Sequence, residues 1–192
     1  MKILGLDSSG IVASVAIVED ENLIAEYTVN YKKTHSQTLL PMLDELVKMT
    51  ELDLDTIDAI AVAAGPGSFT GLRIGSATAK GLGLALKKPL VEIPTVDALA
   101  YNLYDSRALI CPIMDARRSQ VYTGIYRFQE HKLVTVEAQM AVPMAEMIEK
   151  LNARGEEVVF LGDGVPVFGK MIQENLKVPY SFAPAHVNKQ RA

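Results

Sequence analysis

The sequence predicts an α/β fold built from two copies of one unit, β-β-β-α-β-α-β-α, the second copy incomplete. Three observations lead there. The first thirty residues alternate apolar and polar side chains at period two, in short runs bounded by turn residues. The period then lengthens to that of a helix, and helices alternate with strands. From about residue 108 the same order begins again. A repeat of a whole α/β unit says more about architecture than any single motif.

Each element has its own signal. Lys2 to Leu6 reads as a strand and Asp7-Ser8-Ser9-Gly10 as a turn. Strands follow at Val12 to Val18 and Leu23 to Val29, joined by Glu19-Asp20-Glu21-Asn22. From Ser36 to Thr50 the apolar residues cover about half a helix circumference. Thr34 with Gln37 makes a capping-box pattern, and Pro41 predicts a start near Leu40 or a kink there. A strand at Ile57 to Ala63 leads into Gly65-Pro66-Gly67-Ser68-Phe69-Thr70-Gly71 and a helix to about Leu86. A strand at Leu90 to Ile93 and a helix from Thr95 to Tyr104 close the first copy.

The second copy has strands at Ala108 to Met114, Gln120 to Phe128 and Leu133 to Gln139. A helix from Pro143 to Ala153 and a strand at Val158 to Leu161 lead to Gly162-Asp163-Gly164. A helix to about Leu176 and a strand near Tyr180 to Ala183 complete it. The expected division is 1–106 and 107–192, the second domain lacking its last helix. Such a chain would be a truncated form with apolar surface left uncovered.

Composition excludes several classes. Apolar residues make up 49% and charged residues 22% of 192, which is globular and neither disordered nor fibrous. The net charge of −4 gives no footprint for gripping nucleic acid unaided. The lone Cys111 forbids an internal disulfide and fits a reducing cytosol. Asp7 cuts short the only N-terminal apolar run, and no stretch reaches the ~18 residues of a membrane span, so a cytoplasmic protein is expected.

Three constellations are candidates for function. Gly65, Gly67 and Ser68 lie between a strand and a helix, where amides and the helix dipole can face an anion. No Gly-Lys-Ser/Thr follows, so this is not a Walker A loop, and a tight capped turn is the competing reading. Asp7, Ser8 and Ser9 sit at a strand end, where Asp can hold a metal–phosphate complex. Ordinary turn chemistry explains them as well, but Asp115 recurs at the matching point of the second copy. Arg117 and Arg118 follow Asp115 and suit anion contact or an exposed turn.

The helix after Gly65 is filled with Gly71, Gly75, Ala77, Ala79, Gly81, Gly83 and Ala85. Each interior Gly costs up to ~1 kcal/mol relative to Ala, so close approach to a sheet or another helix must offset it. Arg73, Lys80 and Lys87 form a cationic stripe. Two successive helices, each apolar over more than the ~100° one contact needs, point to an interface with another protein. Its residues would be Leu39, Leu43, Leu46, Leu72, Arg73, Gly75, Ala79 and Leu82. His35, His131 and His186 lack second ligands at metal spacing, and no self-contained catalytic set is visible.

The segment Gly65 to Gly75, Gly-Pro-Gly-Ser-Phe-Thr-Gly-Leu-Arg-Ile-Gly, resembles the signature of the bacterial TsaB family. Leu6-Asp7-Ser8-Ser9, His35-Ser36 with Leu39-Leu40-Pro41, Pro94 to Leu99 and Asp115 to Arg118 agree with it. The resemblance covers residues 4 to about 122 and weakens beyond. It implies a duplicated actin-like ATPase fold of the ribonuclease H-like type. It implies a role in transferring a threonylcarbamoyl group to the adenosine beside the tRNA anticodon, as a non-catalytic partner of TsaD. It further implies TsaE as a third component, tRNA met only indirectly, pairing through the first two helices, and a homodimer when alone. ATP or ADP would sit, if anywhere, at the contact with TsaD. The family's relatives with phosphate loops place glycine soon after the aspartate, whereas Ser8 and Ser9 separate Asp7 from Gly10 here, which argues against ATP binding by this chain alone. The competing readings are an ATP-dependent small-molecule kinase of the same fold and, with less support, a peptidase.

Overall fold

The structure, a computed structural model, describes residues 1–31 and 34–192. The chain divides into two compact units, Met1–Thr95 with Gln190–Ala192, and Val96–Lys189.

The first unit holds β1 (Lys2–Asp7), β2 (Ala13–Glu19), β3 (Asn22–Val29), α1 (His35–Thr50), β4 (Ala59–Gly65), α2 (Phe69–Leu86) and β5 (Leu90–Pro94). Its sheet runs β3-β2-β1-β4-β5. β1, β2 and β3 are antiparallel neighbours, while β1–β4 and β4–β5 are parallel. Alternation puts Leu4, Leu6, Val15, Ile17, Ile60 and Val62 on one face, where they form a core with α1 and α2.

α1 buries Leu39, Met42, Leu43 and Leu46 at three- and four-residue spacing. It begins at His35, earlier than the proline suggests, and carries Pro41 inside it. Gln37 and Pro41 are both exposed, so water can take the carbonyl that proline leaves without a donor. The capping box does not form: Thr34 makes no side-chain cap, and its hydroxyl instead accepts from Ser36 Oγ at 3.3 Å. In α2, Ser68 is the cap, accepting from the Gly71 N–H at 3.2 Å. Gly71, Gly75 and Ala79, four apart, are the buried line of this helix. A Cβ on Gly71 would lie 2.0 Å from the Ser8 carbonyl oxygen, and one on Gly75 would lie 2.5 Å from Ser8 Oγ. Close approach to the β1 turn is therefore what offsets the cost of glycine in this helix.

The second unit repeats the order with β6 (Leu109–Asp115), β7 (Gln120–Gln129), β8 (Lys132–Pro143), α4 (Met144–Arg154), β9 (Val158–Leu161), α5 (Val165–Asn175) and β10 (Tyr180–Phe182). Its sheet, β8-β7-β6-β9-β10, has the same order and strand directions as the first. One face packs on α4 and α5 through Cys111, Ile113, Met147, Leu151 and Phe168. The other packs on α3 (Thr95–Tyr101), whose Val96, Leu99 and Ala100 meet Ile110, Met114, Tyr126 and Leu161.

That packing moves the division from residue 106 to between Thr95 and Val96. The helix that closes the first copy in sequence lies in the core of the second unit. The last three residues, placed with the second domain on sequence, pack on the first unit. Arg191 pairs with Glu26 at 2.6 Å, and the Ala192 N–H donates to Ser14 Oγ at 2.9 Å.

Candidate functional site

Two groups of residues in the first unit are candidates, the turn after β1 with the loop before α2, and the outer surface of α2. In the turn, Asp7, Ser8 and Ser9 are all buried. Asp7 Oδ1 accepts from the Ser9 N–H at 2.7 Å and from Ser9 Oγ at 2.6 Å. Burial pushes the Asp7 carboxyl above the usual range, with the Ser9 contacts opposing it. His35 Nε2–H donates to the Gly10 carbonyl at 2.9 Å, and His35 Nδ1 is buried with no partner among the described residues.

The structure brings Gly65, Gly67 and Ser68 to this turn. The Ser68 N–H donates to the Ser9 carbonyl at 2.6 Å, and Ser8 Oγ donates to the Gly71 carbonyl at 2.9 Å. A Cβ on Gly67 would lie 2.3 Å from the Ser9 oxygen, so the two loops are in backbone contact. The amides of Ser9, Ser68 and Gly71 are thus engaged within the chain, and Asp7 adds a carboxyl. Those three amides are therefore not free to hold a nucleotide phosphate, which needs unengaged donors.

Asp115 belongs to the second unit and repeats only the local chemistry. Its Oδ1 accepts from the Arg117 N–H at 2.9 Å, the same two-residue turn that Asp7 makes with Ser9. The Arg117 guanidinium, largely in solvent, lies 3.4 Å from Asp115 Oδ2. Asp163 Oδ1 accepts from the Asp115 N–H at 3.2 Å, and burial pushes the Asp163 carboxyl up.

The expected partner-interface residues divide on inspection. Leu39, Leu43, Leu46 and Ala79 lie in the first unit's own core, and Gly75 is buried against Ser8. Leu72 is half-buried, as is Leu82, which packs on the core. Leu39, Leu43, Leu46, Gly75 and Ala79 are corrected to structural positions, because they face the sheet and the β1 turn, whereas Leu72 and Leu82 keep part of their surface exposed. Arg73 is exposed, its guanidinium carbon 3.8 Å from the centroid of the Phe69 ring. A partner can reach these helices only through what they expose. On α2 that includes Phe69 (69% exposed), Arg73, Ala77, Lys80, Gly81 and Leu84 (83%), and on α1 Leu40 and Met49. Phe69 and Leu84 are absent from the expected interface although their spacing puts them in line with Arg73. The signal was present in that spacing, but apolar residues on the opposite stripe outnumber them.

Beside α2 lies a groove of about 480 Å³, lined by Val62, Leu72, Phe69, Arg73, Lys80 and Glu92 among others. Among the described residues no group of three or more His, Cys, Asp or Glu is placed to hold a metal ion, and no helix is long and apolar enough to cross a membrane.

Two five-stranded mixed sheets of one topology, each with helices packed on it, define the duplicated actin-like ATPase fold. Ethanolamine utilization protein EutJ from Carboxydothermus hydrogenoformans shares that fold with a TM-score of 0.54 at 14% identity over 98% of this chain and 87% of its own. The structure titled YeaZ from Pseudomonas aeruginosa superposes with a TM-score of 0.82 at 26% identity, over 98% of this chain and 86% of that one. Residues 22–192 match the family described as TsaD, tRNA N6-adenosine threonylcarbamoyltransferase. The tRNA threonylcarbamoyladenosine biosynthesis protein TsaB of Bacillus subtilis (strain 168) is 36% identical over 176 residues, 92% of this chain and 77% of that protein. TsaB of Escherichia coli (strain K12) is 30% identical over 167 residues, 85% of this chain and 72% of that one. The chain belongs to the TsaB family, within the wider TsaD family.

Proposed function

We propose that this protein works in the biosynthesis of tRNA threonylcarbamoyladenosine as the non-catalytic partner of TsaD. The match of residues 22–192 to the TsaD family carries the reading. The 36% identity to a protein named for that biosynthesis supports it. The exposed line of α2, with Phe69 and Leu84 largely in solvent, supports pairing through the first two helices. Pairing there positions TsaD for transfer, and the same face mediates self-association when TsaD is absent. TsaE joins the assembled pair, and tRNA is gripped elsewhere in the complex, in keeping with the net charge of −4. The engaged amides around Ser9 and Ser68 support nucleotide binding in TsaD or at the shared contact rather than within this chain.

Size-exclusion chromatography of this chain mixed with TsaD tests the pairing. Co-elution as a one-to-one complex is expected, and separate elution at concentrations well above the micromolar range would overturn it. Calorimetry with Mg-ATP should show no tight binding to the chain alone. Tight binding would favour the kinase reading instead.

A further inference from the structure

The second unit carries an exposed aromatic patch. Tyr101 ends α3 and Tyr104 lies in the turn after it, and they are 54% and 60% exposed, so both rings are open to a ligand. Phe128 of β7, half-buried, meets Tyr101 at 5.7 Å and Tyr104 at 5.2 Å between ring centroids, edge to face in both cases. These contacts orient the tyrosine rings in advance of any binding. His131 stands at the tip of the β7–β8 hairpin, its ring within 19° of parallel to that of Tyr104 and its centroid 6.5 Å away. Its Nδ1–H donates to Asp105 Oδ2 at 3.0 Å, which leaves Nε2 as the acceptor of the neutral ring. Glu130 and His131 make up the two-residue tip with φ of 50° and 62°, and Asp105 has φ of 59°. Such a tip favours Asn-Gly, so holding Glu and His there costs free energy that a turn serving only as a connection has no need to spend. Arg107 and Lys132, within two residues of Asp105 and His131, are exposed and form no ion pair among the described residues.

We propose that Tyr101, Tyr104 and His131 form a stacking platform for one unpaired base of an RNA strand, with Arg107 and Lys132 meeting the flanking phosphates. Rings that lie nearly parallel can both touch one flat ligand, which a rounded aliphatic side chain does not exploit. The two cations offset Asp105 and Glu130, so the patch is neutral on a chain of net charge −4 and does not repel a nucleotide. His131 Nε2 can accept from the exocyclic amino group of a stacked base. Stacking needs no surplus of positive charge, so the contact adds a base to the complex while the phosphates of tRNA are gripped elsewhere. The proposal is independent of the pairing with TsaD.

The test is titration of the purified full chain with a labelled, unstructured oligoadenylate hexamer, read by fluorescence anisotropy, and with AMP, read by chemical shifts in NMR spectra. Saturable binding of the hexamer is expected, with a Kd of about 0.1 mM. The double variant Tyr101→Ala with Tyr104→Ala should bind it roughly tenfold or more weakly, whereas Tyr104→Phe, which keeps the ring, should bind like wild type. Arg107→Glu with Lys132→Glu should weaken binding and flatten its salt dependence. Lys80→Glu with Lys87→Glu makes the same change in net charge on the first unit and should leave both unchanged. AMP should bind at least tenfold more weakly than the hexamer, and an equal affinity would identify a free nucleotide as the source of the base. No saturable binding of either probe would overturn the platform. So would an unchanged affinity in the double alanine variant, or a loss of TsaD binding in that variant with RNA binding intact, which would make the patch a protein contact.

Discussion

At the scale of single residues, glycines in α2 differ by what stands opposite them. A Cβ at Gly71 would lie 2.0 Å from the Ser8 carbonyl oxygen, a backbone atom, whereas one at Gly81 meets nothing within 4 Å. Gly71→Ala should therefore destabilise the protein by about 3 kcal/mol, since the β1 turn must shift to admit it. Gly81→Ala, at an exposed helix position, should stabilise it by roughly 0.5–1 kcal/mol. Urea denaturation of both variants checks this, and equal effects would contradict the packing described. Gly75 belongs with Gly71, so a bulky residue there would disturb the fold, and Gly81 is the position at which added bulk meets only a partner. Cys111 supplies a second expectation. Burial pushes its thiol up to about 12, with the Thr123 hydroxyl opposing. Little thiolate then exists at pH 8, so a thiol-specific disulfide reagent should react with Cys111 only after unfolding. Fast labelling of the native protein would contradict that burial. The small-residue pattern of α2 was legible in the sequence. Which glycine touches the β1 turn was not, because that depends on the rotation of the helix about its axis.

At the scale of elements, the strands and helices were legible because each face is dictated by burial on one side. The misreadings have a shared cause. A helical stripe that faces its own sheet and one that faces a partner have the same period. Leu39, Leu43 and Leu46 thus read as an interface, yet they are core. Pro41 argued for a later start to α1 or a kink in it; the helix starts at His35, since one missing hydrogen bond on a solvent-facing side does not outweigh four buried side chains. In the second unit, charge fastens α4 to β8. Glu137 of β8 accepts from Arg154 Nη2 at 2.7 Å and from Lys150 Nζ at 3.1 Å. The Arg154 hydrogen bond, aided by Lys150, holds the Glu137 carboxyl below the usual glutamate range. A depressed folded value stabilises the native state above the unfolded value and is lost as the pH falls through the folded one. Glu137→Gln should therefore melt lower than wild type at pH 7, and the gap should close as the pH falls below the ordinary glutamate range. A gap that persists at pH 3 would mean that the charge is not its source.

At the scale of the whole molecule, the repeat of order and strand direction was legible, because it needs only the sequence of elements. The boundary was not. α3 follows β5 in the chain but buries Val96, Leu99 and Ala100 on the second sheet, and local periodicity carries no information on which sheet a helix chooses. For the loops around Asp7 and Gly67 spacing left a phosphate site and ordinary capped turns both open, and it does not reveal that the Ser68 N–H engages the Ser9 carbonyl. What α2 turns outward is the line from Phe69 to Leu84, and the proposed role as a partner rests on that line. The most direct measurement is the rate at which TsaD and TsaE, supplied with ATP and an activated threonylcarbamoyl donor, convert tRNA adenosine to threonylcarbamoyladenosine with and without this chain, quantified by mass spectrometry of the digested tRNA. The rate should rise strongly on adding the wild-type chain and far less on adding a variant with Phe69→Glu and Leu84→Glu. An equal rate with the chain present, absent or so altered would contradict a partner role.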